Sequence, residues 1–374
     1  MPRFARLARL AGLALSLTIF ASAPQADACT SFRLKAADGS VVYARTMEYG
    51  QDLASKVAIF PAGSPFVGLT PDGAAKGLRF RAKYGFAGMN AFSSNIVCDG
   101  INEKGLMVGM LLFPGYAGYQ PYASGKAGST IAQFQVGDWL LSQCATVAEA
   151  KREIAKIRVC QGPTSLDGVP IGDLPLHYTI HDASGASAVV EYVGGELRIH
   201  DNPLSVLTNS PDFDWMLTYL SNTVNLSATN VPALDLKGYV VRQTGQGSGM
   251  LGLPGDFTPP SRFVRMTALT QSALPAPNAE AAVSLAMTII GNVDIPKGAV
   301  RGIEDGKPIY DVTEWTAVAD AARGRYYWQT YADKNWRYVD LKAALAAAAG
   351  KPTSIAISGP PTYVDATSAA KPGL

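Results

Sequence analysis

Histidine is scarce: the chain has 3 in 374 residues, His177, His181 and His200. Cysteine is nearly as rare, and 4 residues (Cys29, Cys98, Cys144, Cys160) are too few for a disulfide scaffold in a chain of this length. Charge of either sign is sparse at 17 %, and 32 Lys+Arg against 30 Asp+Glu leave a formal net charge of +2. That balance gives no argument for a nucleic-acid partner or an anionic membrane surface. There is no G-x-S-x-G elbow, no phosphate-binding loop and no G-x-G-x-x-G following a strand. Gly245 to Gly249 is glycine-rich but lacks the lysine and the helix context, and reads as a flexible surface loop. His177 and His181 fall on one face of a strand-like segment without a carboxylate-bearing zinc pattern. A Cys–His protease pairing is the other use open to them. No metal and no cofactor is called for. What the chain does have is apolar residues, 48 % of the total, enough to bury a sizeable core.

The N-terminus has a three-part layout. Arg3, Arg6 and Arg9 precede an uncharged apolar run from Leu10 to Ala23, and Ala26-Asp27-Ala28 places small residues at −3 and −1 of a cleavage site. This reads as a secretory signal peptide over 1–28, too short in its apolar part for a membrane span. No later stretch reaches the length of a span. Removing 1–28 takes away those three arginines and Asp27, so 29 basic and 29 acidic residues remain of the 32 and 30. The expected product is an exported, electrically balanced protein, periplasmic or secreted.

Cleavage there makes Cys29 the first residue. Three readings of it stand side by side: a lipidated cysteine, half of a structural disulfide, or a nucleophile carrying its own base. A lipoprotein site usually has Leu at −3, where this chain has Ala26. A free α-amine has a pKa of about 7.7–8.0 and a thiol about 8.5, so the amine of the same residue can relay the thiol proton. Thr30–Lys35 and Val41–Glu48 read as a hairpin turning at Asp38-Gly39. A two-residue turn there places Glu48 opposite Cys29 and Arg45 opposite Phe32. A cation beside a thiol favours thiolate, and a carboxylate can hold an ammonium.

Further along, Ile96 to Phe113 reads as a hairpin turning at Asn102–Gly105, with an almost wholly apolar return strand. Ser129–Gln143 and Thr146–Ile157 read as helices with Ser or Thr caps. Leu176–His200 alternates as strands, and Pro211–Val224 contains an amphipathic helix. Arg262–Leu274 and Ala279–Ile290 read as helices. Thr313–Val318, Arg325–Tyr331 and Trp336–Leu341 read as closing strands. Cys144 and Cys160 are either bridged or buried as thiols. No linker divides 29–343, and 344–374 is an Ala/Gly/Pro-rich tail expected to be frayed in part. The expected class is α+β, with helices covering both outer faces of stacked antiparallel sheets.

Several motifs carry a resemblance. Cys29-Thr30-Ser31-Phe32 and Arg45-Thr46-Met47-Glu48 resemble the start of the choloylglycine hydrolase family. That family includes bile salt hydrolases and penicillin V acylases, within the N-terminal nucleophile hydrolases. The resemblance continues at Asp99–Leu106, Phe113–Tyr116, Val206–Pro211 with Phe213-Asp214-Trp215, and Gly252–Phe257 with Ser261-Arg262-Phe263. It implies a four-layer αββα sandwich and hydrolysis of linear, non-peptide C–N amide bonds.

The resemblance also implies roles. Cys29 is similar to the nucleophile, Arg45 to the cation beside it, and Arg262 to the second active-site arginine. Asn209 is similar to the side-chain donor of the oxyanion hole. Glu48 stands where many members carry the Asp that holds the α-amine, one methylene longer. Leu112 stands where bile salt hydrolases commonly have Asn and penicillin acylases Tyr, so only its backbone N–H can serve the oxyanion hole. Met47, Leu112, Phe113 and Tyr116 are expected to line the substrate site. The signal peptide is more typical of relatives acting on penicillin V or acyl homoserine lactones than of bile salt hydrolases. The expected activity is therefore penicillin V acylase-like hydrolysis of an N-acyl amide. Bile salt hydrolysis, acyl homoserine lactone hydrolysis and a lipidated binding module are the alternatives. The expected partner is the small-molecule amide itself, without nucleic acid or stable membrane insertion. Family resemblance adds a homotetramer.

Overall fold

A computed structural model describes residues 28–304 and 306–371. The N-terminal basic and apolar segment of the expected signal peptide lies outside the described residues. Two antiparallel sheets are stacked face to face. The first runs, in order, Val206–Leu207, β1 (Thr30–Lys35), β2 (Val41–Tyr49), Lys307–Asp320, Arg325–Thr330 and Arg337–Asp340, with Val300–Glu304 paired onto Lys307–Asp320. The second runs Glu196–Asp201, Ser187–Val193, Leu176–His181, Met107–Leu112, Val97–Asn102, Phe86–Asn90, Lys56–Phe60 and Thr353–Ala356.

Helices cover both outer faces. α1 (Val136–Gln143) packs on Val97–Asn102 and Met107–Leu112, and α2 (Val147–Ile154) follows it. α3 (Phe213–Tyr219) leads to α4 (Pro259–Ser272) and α5 (Ala279–Ile290), which pack on β1, β2 and Lys307–Asp320. α6 (Leu341–Ala347) touches the far edge of the second sheet. Caps fix the starts: Thr146, Asp212, Asn278 and Asp340 each accept a backbone N–H from the first turn of the helix they precede. This is the expected α+β sandwich of αββα layers.

Two expectations change. The first hairpin pairs Ser31 with Arg45 and Thr30 with Thr46, one residue out from the expected register. The loop is Ala37-Asp38-Gly39 rather than two residues, because the Ala36 N–H donates to Ser40 O and Gly39 takes φ +90°. A three-residue loop with a left-handed glycine shifts the ladder by one and moves Glu48 away from a direct cross-strand partnership with Cys29. The expected helix over Ser129–Gln143 begins only at Val136. Thr130–Ala132 is instead extended and pairs in parallel with Arg158–Cys160. Within the tail, Thr353–Ala356 pairs with Lys56–Ile59 and adds an edge to the second sheet.

Among the described residues, no helix is long and apolar enough to cross a membrane.

Candidate active site

The site begins where β1 begins. Cys29, fully buried, sits across the hairpin from Met47, and its Sγ lies 3.8 Å from Met47 Sδ. Arg45 projects from the same face of β2, two residues before Met47, and Nη2 donates to Cys29 Sγ at 3.3 Å. Cys29 follows Ala28 in this chain, so its nitrogen is a peptide amide here.

Arg45 is held from several directions. Nη1 donates to Cys98 O at 3.1 Å and to Met110 O at 3.0 Å, at the end of the strands where their ladder has opened beyond Asp99 and Gly109. The guanidinium lies 5.1 Å from the Trp315 ring. Asp99 stands 3.9 Å from Nη1 and accepts from Tyr43 Oη at 2.7 Å and Tyr326 Oη at 2.5 Å. Burial alone would pull the Arg45 guanidinium down, but Cys29, Asp99 and Tyr43 around it hold it above its ordinary value. The cation is therefore permanent and fixed against the sulfur, the environment that favours a thiolate.

Arg262 on α4 joins the other parts. Nη1 donates to Cys29 O at 2.5 Å and Thr30 Oγ1 at 2.6 Å, and Nη2 donates to Asn209 Oδ1 at 2.8 Å. With its oxygen engaged, the Asn209 amide turns Nδ2 the other way, where it donates to Leu112 O at 2.8 Å. The Phe113 N–H donates to Pro175 O, so by the alternation of an antiparallel ladder the Leu112 N–H and C=O point away from Leu176–His181, toward the opened fork. The Asn209 amide and the backbone polar groups of Leu112 thus meet at this strand end, and Leu112 lines the cavity that Cys29 also lines.

Glu48 is fully buried and lies next to this network rather than in contact with the sulfur. A bulge between Met47 and Glu48 pairs it with Thr313. Its Oε1 accepts from Thr313 Oγ1 at 2.8 Å and its Oε2 from Thr46 Oγ1 at 3.0 Å. Burial pushes the carboxyl up to about 8, against the pull of Arg262 and the two threonines. Burial in turn brings Arg262 down to about 10, opposed by Glu48 and Cys29.

A small cavity opens over Cys29, lined by Met47, Leu53, Phe92, Met110, Leu112 and Phe134 among others. Its wall is almost wholly carbon and sulfur. A wider mouth shares Tyr49, Phe92, Leu112, Ile171 and Leu174 and adds Gln51, Asp173 and Lys307. Met47 and Leu112 line the cavity as expected. Phe113 and Tyr116 do not. Successive strand residues face opposite ways, so Phe113 points away from Leu112 and stacks on His177 with centroids 4.4 Å apart, while Tyr116 stacks on the other side of Phe113.

Sequence patterning assigned no site role to Trp315, to Asp99 (noted only within a motif), to Tyr326 or to Ile171 and Leu174. The first three meet the site only through long-range sheet pairing, and the last two lie in a Gly/Pro/Asp-rich loop with no periodicity. The remaining cysteines are buried thiols: burial pushes Cys98 and Cys144 up to about 12 and Cys160 to about 11. His177 and His181 are engaged in the core, and His200 lies partly exposed. His177 meets Glu191 and Thr208 O, His181 meets Thr179 with its ring kept neutral by burial (about 3), and His200 lies 3.3 Å from Asp214. No group of three or more potential metal ligands occurs among the described residues.

Known proteins resemble this chain in sequence and fold. The family described as linear amide C–N hydrolases, choloylglycine hydrolase family, matches residues 29–347. A bile salt hydrolase/transferase of Clostridium perfringens is 30 % identical, covering 84 % of this chain and 92 % of that protein. A penicillin V acylase of Pectobacterium atrosepticum is 28 % identical, covering 80 % and 77 %. A crystal structure of a conjugated bile acid hydrolase from Clostridium perfringens superposes with a TM-score of 0.78 at 28 % identity, over 90 % of this chain and 99 % of that one. A penicillin V acylase from Agrobacterium tumefaciens shares the fold, with a TM-score of 0.69 over 88 % of this chain and 91 % of that one. The matched segment starts at the buried cysteine itself, and on that extent the chain belongs to the choloylglycine hydrolase family, as a linear amide C–N hydrolase of the N-terminal nucleophile fold.

Proposed function

We propose that the chain is exported, is cut before Cys29, and hydrolyses an N-acyl amide through an acyl-thioester on Cys29. The observation that carries this reading is the 3.3 Å contact between Arg45 Nη2 and Cys29 Sγ at the floor of an apolar cavity. Cleavage turns the Cys29 amide into an amine, which takes the thiol proton. The thiolate, held by Arg45, attacks the amide carbonyl. Negative charge on the carbonyl oxygen is met by Asn209 Nδ2 and the Leu112 N–H. The C–N bond breaks as the ammonium returns its proton to the leaving nitrogen. The amine then activates water, which hydrolyses the thioester and releases the acid. Glu48 supplies the carboxylate that faces the ammonium, and Arg262 holds Cys29 and Asn209 in one frame.

The apolar cavity suits the acyl half of the substrate, and the polar mouth its amine half. With export, this favours a penicillin V acylase-like activity. Bile salt hydrolysis is the second reading, supported by the likeness to the Clostridium perfringens bile salt hydrolase/transferase. Side-by-side rates on penicillin V, a long-chain acyl homoserine lactone and glycocholate decide between them. Penicillin V is expected to turn over fastest, and a clear preference for glycocholate overturns that choice. A lipidated binding module predicts instead a lipid mass on Cys29 and no turnover on any of the three.

We also place a homo-oligomer here. The hairpin Leu234–Leu236 and Tyr239–Val241 stands out from the body with apolar side chains bare on both strands.

A further inference from the structure

The two oxyanion donors come from different sheets. Asn209 follows Val206–Leu207, an edge strand of the first sheet paired with β1. Leu112 ends Met107–Leu112 in the second sheet. A donor pair divided in this way keeps its spacing only if the sheets are tied together beside it.

Beside the direct Asn209 Nδ2–Leu112 O contact, His177 makes a second tie. It belongs to Leu176–His181 of the second sheet, one residue beyond the partner of Leu112. Its Nε2 lies 2.9 Å from Thr208 O, the carbonyl just before Asn209. That carbonyl can only accept, so Nε2 carries a hydrogen. Nδ1 lies 3.1 Å from Glu191 Oε1, which also accepts the Phe213 N–H at 3.1 Å, so the same carboxylate pins the far end of the Thr208–Phe213 segment. The ring face stacks on Phe113, the residue after Leu112, at 4.4 Å and 6°. His177 and Glu191 are fully buried. One imidazole therefore grips the neighbour of each oxyanion donor.

We propose that His177, oriented by Glu191, is the positioning residue of the oxyanion hole. This rests on the assignment of Asn209 and Leu112 to that hole. His177 does not touch the reacting atoms. It holds the distance between Asn209 Nδ2 and the Leu112 N–H, and so acts on the barrier rather than on substrate capture or thiol reactivity.

The test uses the enzyme beginning at Cys29 and whichever of the three amides it turns over fastest. His177→Phe keeps the stack on Phe113 and loses both ring-nitrogen contacts. The double variant His177→Phe/Glu191→Gln removes the carboxylate charge that this leaves buried, which preserves folding. His177→Gln restores one N–H donor. The proposal expects kcat to fall about 10-fold or more in the Phe variants with KM within about 2-fold, and an oxyanion-forming aldehyde to bind correspondingly more weakly. Iodoacetamide should alkylate Cys29 at the wild-type rate, and His177→Gln should recover part of kcat. Unchanged kcat in the folded double variant overturns the proposal, as does an equal fall in kcat and alkylation. Asn209→Ala separates the two levels. If it leaves kcat intact, the oxyanion assignment itself fails. If it lowers kcat while the His177 variants do not, only the positioning role fails.

Discussion

At the scale of single residues, the site works by placing few charges in a dry environment and giving each one several partners. Asn209 is the clearest case, since Arg262 takes its oxygen and leaves its N–H groups turned toward Leu112. Asn209→Ala should lower kcat about 10²–10³-fold, about 2.7–4 kcal/mol of barrier, with a smaller change in KM, measured by steady-state kinetics. Glu48 gives a pH prediction independent of activity. Its carboxyl titrates near 4.5 when exposed and is pushed up to about 8 by burial in the uncleaved chain. Between those values the folded chain binds the proton and the unfolded chain does not. The contribution of protonated Glu48 is thus complete below pH 4.5 and lost as pH rises through about 8. Urea unfolding of the uncleaved chain should show stability falling across that window, and Glu48→Gln should flatten the fall. In the enzyme that begins at Cys29, the neighbouring ammonium favours the carboxylate, so the same fall should be smaller. Equal slopes in the wild type and Glu48→Gln contradict the assignment. Cys29, Arg45, Asn209 and Arg262 were legible in the sequence through local motifs. Asp99 and Trp315 as partners of Arg45 were not, because sheet pairing far along the chain brings them in.

At the scale of elements, the opening hairpin shows what sequence patterning settles and what it leaves to turn geometry. Alternation and Asp38-Gly39 located both strands, while the loop length that sets register depends on the Ala36–Ser40 closure. One residue of slip moved the partner of Cys29 from Glu48 to Met47 and, because strand residues alternate, brought Arg45 onto the same face as the sulfur. The segment Ser129–Gln143 failed for another reason: Thr130–Ala132 is claimed by tertiary pairing with Arg158–Cys160, which overrides local helix preference. Gly109 marks a closer fit between sheets. A Cβ there would stand 2.2 Å from Tyr43 Oη and 3.3 Å from Asp99 Oδ2. Gly109→Ala should therefore displace Tyr43 from Asp99 and destabilise the fold by about 1–3 kcal/mol. Tyr43→Phe in the same chain should recover part of that loss by removing the obstructing hydroxyl. Additive losses in the two changes, read from denaturant midpoints, contradict a clash at this point.

At the scale of the whole molecule, the αββα stack explains why Cys29, just before β1, is buried at the site. β1 lies inside the first sheet, between Val206–Leu207 and β2, so its first residue emerges where the two sheets part. Layer order was readable from strand and helix runs, whereas the ordered part of the tail was not, since Thr353–Ala356 is an edge strand whose side chains stay exposed. The bare hairpin gives the prediction for assembly. Leu234 is 58 % and Tyr239 74 % exposed. If this surface joins copies, Leu234→Ser with Tyr239→Ser should shift the mass in light scattering from oligomer toward monomer. A monomeric wild type, or an unchanged mass in the double variant, contradicts it. The central claim is that the amine of Cys29 becomes the base of the reaction once nothing precedes it. Its most direct measurement compares turnover by two folded, mass-verified forms, one beginning at Cys29 and one carrying a single extra residue before it. Activity confined to the first form is the predicted result. Comparable turnover by the extended form would contradict the account.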